Sequence, residues 1–228
     1  MIETTRRELT ETRWQLTEVS DELNLSQALA RADPLTGFCN RRALSELVTK
    51  EIARSRRTKL PFSLAMLDLD HFKSLNDEHG HDGGDQALKH LAFVVKMSLR
   101  ETDDIFRYGG EEFVVVLPGA TAEGARFVVD RMRALVERTP LVLENRKAVI
   151  RFSAGVAELA QDGNEELLLK RADRALYEAK SAGRNRAGPA LSARLHPGGW
   201  RVGFHLMIVS RTTEPPWWRA CGSHSSRR

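Results

Sequence analysis

Residues 107–118 read RYGGEEFVVVLP: Arg107 and Tyr108, two glycines, two adjacent glutamates, then a run of valines. With DIFRY (104–108) before the glycines and EEFVVVL (111–117) after them, the segment reads as two strands joined at Gly109-Gly110, a hairpin. The glutamates at the mouth of the second strand are the oddity. Adjacent like charges repel, and a buried strand gains nothing from them. Their presence implies a partner of opposite charge.

Upstream, LPFSLAMLDLD (60–70) is a short apolar run that reads as a buried strand ending at Asp68 and Asp70. Alternation puts these two carboxylates on one face, with Leu67 and Leu69 on the other. A polar, histidine- and glycine-rich segment follows, and then a helix from about Gly84 to Leu99 marked by Ala87, Leu88, Leu91, Val94 and Val95. Downstream come a helix from about Ala122 to Glu137, the strand AVIRFSAGVAEL (148–159) and the helix EELLLKRADRALYEAKSAG (165–183), stopped by Gly183. Near the start, RADPLTGFCNRR (31–42) breaks a helix with Pro34 and Gly37, and Asn40 caps a new one carrying Leu44, Leu47, Val48 and Ile52. The α/β alternation interrupted by a hairpin predicts an α+β fold: a mainly antiparallel sheet with helices on one or both faces.

Ile2, Leu9, Leu16, Leu23 and Ala30 recur every seven residues, with mostly polar companions at Thr5, Thr12, Val19 and Ser26. Residues 1–30 therefore read as an amphipathic helix, packed on its own domain or paired with a second chain as a short coiled coil. The net charge of +4 is misleading until it is located. From Ala187 onward there are six arginines and one acid, Glu214, so the preceding 186 residues sum to −1. The basicity belongs to residues 188–228, rich in Trp, Arg, Gly and Pro and expected to be largely disordered. The remainder is expected not to bind nucleic acid. Cys39 and Cys221 resemble neither a disulfide framework nor a zinc cluster. No apolar run is long enough for a membrane span, and the polar N-terminus does not read as a secretory signal. The expectation is a cytoplasmic protein.

If the strand ending at Asp68 lies beside the hairpin, Asp68, Glu111 and Glu112 converge. Such a cluster is costly without a cation, and hard oxygen ligands favour Mg²⁺ completed by water and substrate phosphates. Lys73, Lys180 and Arg184 supply the positive charge that phosphates need. Carboxylates for metal and cations for phosphate describe a nucleoside-triphosphate site.

The segments DPLTGFCNRR, LDLDHFKSLNDEHGHDGGDQALK, RYGGEEF, FSAGVAEL and ADRALYEAKSAGRN resemble, in this order, the signature segments of GGDEF domains, the diguanylate cyclases. The resemblance covers about Asp33 to Arg186 and sets the expected domain at 31–187. It implies a fold related to nucleotidyl cyclases and polymerase palms, and the condensation of two GTP into cyclic di-GMP and two pyrophosphates by a homodimer. By position it assigns Asp68, Glu111 and the Leu69 carbonyl to two Mg²⁺ ions per half-site, with Mn²⁺ as a substitute and Glu112 nearby. It assigns Lys73, Lys180, Arg184 and the backbone at His71 and Phe72 to the triphosphate, and Asn76 and Asp85 to guanine. An ionised aspartate is acceptor-only and suits the N1–H and N2–H₂ donors of guanine, which favours GTP over ATP. Arg100 and Asp103, in RETD, match the family's product-inhibition motif, with Arg131 as a further contact beside the competing Arg133; Asp104 competes with Asp103. The rival expectation is a catalytically silent module that binds GTP or cyclic di-GMP and regulates a partner.

Overall fold

The computed structural model describes residues 13–20, 30–143, 146–161 and 163–191. Its centre is β2 (Phe62–Leu69), buried along its whole length, as an uninterrupted apolar strand covered on both faces must be. It pairs antiparallel with β4 (Glu112–Pro118) on one side and β7 (Phe152–Glu158) on the other. β4 pairs antiparallel with β3 (Asp104–Arg107), and β3 pairs parallel with the short β1 (Cys39–Asn40). The order is β1-β3-β4-β2-β7, a mainly antiparallel sheet as the alternation predicted.

Alternation along β2 sorts the core into two layers. Phe62, Leu64 and Met66 pack with Leu44, Val48 and Ile52 of α1 (Arg41–Thr58) and with Leu168, Ala172 and Leu176 of α4 (Glu165–Ser181). Ala65, Leu67 and Leu69 pack with Leu88, Leu91 and Val95 of α2 (Phe72–Ser98) and with Val129, Met132 and Val136 of α3 (Ala122–Arg138). Helices thus cover both faces. Asn40 caps α1 as expected, its side-chain oxygen accepting from the Arg42 and Ala43 amides at 3.0 and 3.2 Å.

Two boundaries differ from the sequence reading. The polar segment after β2 is helical from Phe72, twelve residues before the expected start at Gly84, and α2 bends at Gly80 (φ 70°). Its second half carries the expected apolar stripe; its first half carries little apolar surface and gives no such periodicity. The strand expected over 148–159 divides, because β5 (Leu141–Leu143) and β6 (Arg146–Ala148) form a separate hairpin and β7 begins only at Phe152. Residues 13–20 are helical, with Leu16 65 % and Val19 62 % exposed, so this part of the heptad pattern does not pack on the domain. The rest of residues 1–29 and the tail from 192 lie outside the described residues.

After α4 the chain returns along β7, with bridges Ala154–Ala187 and Ala157–Leu191. α4 lies unusually close to the sheet. A Cβ at Gly155 would meet the Ala172 carbonyl and the Leu176 amide, both backbone, whereas one at Gly110 would meet nothing. Gly155→Ala is expected to destabilise the fold by about 3 kcal/mol in urea unfolding, the cost of overpacking against a rigid wall. Gly110→Ala should fall within about 0.5 kcal/mol of the parent; equal effects would remove the close-approach argument.

Candidate active site

The β2–β4 register sets Asp68 directly opposite Glu112, and the Leu69 amide donates to the Glu111 carbonyl at 3.3 Å. The end of the central strand and the glycine turn therefore share one edge. Glu111 itself sits in the turn rather than in the strand, since β4 starts at Glu112. Asp68 follows Leu64 and Met66 onto the α1/α4 face, and there the Lys180 ammonium, in the last turn of α4, lies 2.7 Å from its Oδ2.

Burial pushes the Asp68 carboxyl above the usual range; its bond to Lys180 opposes this, while Asp70 adds to it. Burial also raises Glu111 and Glu112, and the Asp68 charge raises both further. Three carboxylates share one ammonium, so the edge is short of positive charge. Among the described residues no three His, Cys, Asp or Glu side chains form a ready-made cage. That donor set fits a divalent ion that takes its other ligands from a main-chain carbonyl, water and substrate phosphates.

The turn is held from behind. The Tyr108 and Gly109 amides donate to the Glu112 carbonyl at 2.9 and 3.2 Å. Arg107 donates through Nη2 to the Gly110 carbonyl at 2.9 Å and through Nη1 to both oxygens of Asp33 at 3.1 Å. Asp33 also accepts from the Thr36 amide and hydroxyl at 2.8 and 2.7 Å. Although burial works to raise it, the Thr36 bonds and Arg107 outweigh this and hold its carboxyl below the usual range.

Asp70 faces a different task from Asp68. It lies just past the strand, 8 % exposed, and accepts from the Ser153 hydroxyl at 2.8 Å and the Asn185 amide at 2.9 Å. Arg184, beside Asn185, is exposed in a left-handed conformation (φ 62°). His71, also left-handed (φ 60°), starts α2 without a side-chain cap, and Lys73 is exposed in the first turn. Helix-start amides have no partners within the helix and favour anions.

The bend at Gly80 folds the two halves of α2 towards each other. The Asn76 side chain lies against Gly84, where a Cβ would collide with its Oδ1, and Asp85 is the next residue. The Asn76 Oδ1 is buried without a hydrogen-bond partner. An orphaned acceptor of this kind calls for an N–H donor from a ligand.

Arg100 and Asp103 form a closed turn. The Asp103 amide donates to the Arg100 carbonyl at 3.1 Å, and the Arg100 amide donates to Asp103 Oδ2 at 3.1 Å. Burial raises the Asp103 carboxyl, with Arg100 and Arg131 opposing. Arg131 reaches this corner through a 2.6 Å bond to the Ser98 carbonyl, whereas Arg133 turns away to Asn185. Asp104 is engaged by Lys96 at 3.2 Å. Both ambiguities in the sequence thus separate in space. A cleft of about 570 Å³ opens on the α1/α4 face, lined by Arg41, Tyr108, Asn164 and Asp173 among others, and meets the expected site residues only at Glu112.

Sequence reasoning missed Asp33, Arg107, Ser153 and Asn185 as organising residues. Asp33 and Arg107 stand inside quoted motifs, but their pairing across 74 positions left no local signal.

A family model described as "Diguanylate cyclase, GGDEF domain" matches residues 30–186. The diguanylate cyclase DgcP of Pseudomonas aeruginosa is 46 % identical over 159 residues, 69 % of this chain and 23 % of that protein. The response regulator PleD of Caulobacter vibrioides is 37 % identical over 168 residues, 72 % of this chain and 37 % of that protein. The chain thus spans about a quarter to a third of the length of these curated relatives. Among solved structures, the coiled coil and GGDEF domain of DgcB from Caulobacter crescentus, in complex with c-di-GMP, superposes with a TM-score of 0.72 at 28 % identity, covering 82 % of this chain and 98 % of that one. The family match takes in every strand of the sheet and the whole carboxylate edge, and the chain belongs to the GGDEF-domain, diguanylate cyclase family.

Proposed function

We propose that the chain is a diguanylate cyclase that condenses two GTP into cyclic di-GMP with release of two pyrophosphates. The observation that carries this reading is the meeting of Asp68 with the Glu111–Glu112 turn, with Lys180 already on Asp68 at 2.7 Å. Asp68, Glu111 and the Leu69 carbonyl would hold two Mg²⁺ ions, or Mn²⁺, with Glu112 beside them. When bound, such ions polarise the α-phosphate and make a 3′-hydroxyl easier to deprotonate.

The protein's own groups bind and orient. The α2 start at His71 and Phe72 offers amides to phosphate oxygens, and Lys73 and Arg184 add charge. Lys180 sits between the carboxylate edge and the phosphate side, and neutralises either. Asp85 accepts from the guanine Watson–Crick edge, and the orphaned Asn76 oxygen takes a remaining donor. In each half-reaction the 3′-oxygen of one GTP bonds to the α-phosphorus of the other. The bond from that phosphorus to the α,β-bridging oxygen breaks, pyrophosphate leaves and the hydroxyl proton passes to solvent or a carboxylate. One domain holds one GTP, so two domains must face each other across a twofold axis. The exposed Leu16 and Val19 support pairing through the N-terminal helix, which raises the effective concentration of the second half-site. GTP as substrate places the protein in the cytoplasm; among the described residues no helix is long and apolar enough to cross a membrane. Arg100, Asp103 and Arg131 form the site through which product inhibits: arginine donates to guanine O6 and N7, and aspartate accepts from the Watson–Crick edge.

Purified chain with GTP and Mg²⁺ is expected to yield one cyclic di-GMP per two pyrophosphates, at a rate per chain that rises with chain concentration. Glu111→Ala should lower that rate at least about 10²-fold. Nucleotide binding without turnover, in chains shown to be paired, would favour the silent-module reading.

The raised carboxyls give a stability prediction. A group whose folded pKa is raised binds more protons folded than unfolded, so its cost is full above the folded pKa and is relieved as pH falls towards the unfolded value. Glu111→Gln should therefore raise the thermal midpoint of the metal-free protein at about pH 8 and lose that advantage near about pH 4, in the ordinary carboxylate range. A gain that persists unchanged in acid would contradict the repulsion argument. Arg100→Ala should raise the cyclic di-GMP concentration needed for half-inhibition by about tenfold or more, the loss of one bidentate guanine contact; unchanged inhibition removes that site.

A further inference from the structure

Arg184 and Asn185 stand in consecutive left-handed conformations, φ 62° and 45°. Asparagine tolerates this region; arginine visits it seldom, and only where its surroundings hold it. The surroundings do so through Asn185. Its backbone amide donates to Asp70 Oδ2 at 2.9 Å, its side-chain oxygen accepts from Arg133 Nη1 at 3.3 Å, and its side-chain nitrogen lies 3.4 Å from Glu137 Oε1. Asp70 is fixed in turn by the fully buried Ser153 at 2.8 Å. Glu137 is braced by Arg151 at 3.1 Å. On either side, the Arg184 amide donates to the Ala179 carbonyl at 3.1 Å and the Ala154 amide donates to the Arg186 carbonyl at 2.9 Å. One asparagine thus joins the loop after α4 to the end of β2 and to α3, while its neighbour Arg186 and its partner Asp70 tie the same corner to β7.

We infer that Asn185 is a positioning residue: it locks the loop that carries Arg184 to the end of β2, so that this cation stands at a fixed distance from Lys180, Asp68 and the carboxylate edge. The inference rests on the proposed GTP-binding role of this edge and deepens it. Lys180 is the last basic residue of the helix and Arg184 sits four residues on, past Gly183 (φ 108°). From α4 the Arg184 backbone receives one tie, its amide bond to the Ala179 carbonyl at 3.1 Å, and a second comes from outside the helix. Asp70 supplies it through the Asn185 amide, and lies two residues beyond Asp68 on the same chain. The lock therefore measures the Arg184 cation against the carboxylates through a short covalent path and one hydrogen bond. Asn185 touches neither substrate nor metal in this reading and acts through Arg184.

The test compares two ligands on the full chain with Mg²⁺: GTP, and GMP, which carries no β- or γ-phosphate for the cations to hold. In Asn185→Ala the dissociation constant for GTP should rise about tenfold, the loss of about one charge-assisted phosphate contact, with that for GMP unchanged. Asn185→Gly keeps left-handed freedom and the amide bond to Asp70 but loses both side-chain bonds, and should show a smaller rise confined to GTP. It serves equally well if the alanine variant does not fold. Equal weakening of GTP and GMP, or parent-like GTP binding by folded Asn185→Ala, overturns the inference. A parent chain that binds neither ligand instead overturns the GTP reading on which it stands.

Discussion

The structure depends on one backbone constraint, the antiparallel register that puts Asp68 of the central strand opposite Glu112 of the hairpin. A slip by one residue would turn Asp68 into the α2/α3 layer, whose packing around Leu67 and Leu69 is apolar. The register is secured by burial along the whole of β2 and by hairpin bonds that tie the turn back onto Glu112. Everything chemical at the edge is borrowed from that pairing. The carboxylates are forced together at a cost, and the Lys180 ammonium offsets only part of it.

A second layer of polar bonds fixes what the sheet alone does not. Arg107 bridges the glycine turn to Asp33, and Asp70 bridges the strand end to the loop after α4. Both bridges join segments far apart in sequence, and both end on backbone as well as side chains. They convert two flexible corners into fixed walls of one site. The close approach of α4 to the sheet at Gly155 sets the depth at which Lys180 sits, since any side chain there would push the helix backbone outward.

The strands, the hairpin and the acids at the edge were legible because each left a local mark: apolar runs of strand length, glycines at the turn, acids where a strand should have none; the order of the strands left none. The helix stripes of α3 and α4 were legible for the same reason, and their ends agree closely with expectation. The first half of α2 was not, because Phe72–His79 buries too little apolar surface to show a period and is bent away at Gly80. The β5–β6 hairpin hid behind Val149 and Ile150, whose apolar character made one long strand look continuous with β7. Arg131 and Arg133 cannot be told apart in a string; two positions on a helix are about 200° apart, and only the packed helix shows which one meets the Ser98 carbonyl. Asn185 was invisible because its partners come from the end of β2 and from α3, both far away in sequence.

The bend in α2 has a wider consequence. Because the backbone turns at Gly80, where φ is 70° and side chains are disfavoured, the helix start and the Asn76–Asp85 corner belong to one continuous stretch of chain. Their separation is set by backbone geometry, so in the proposed nucleotide site the span from the phosphate end to the base end would be built into the chain itself.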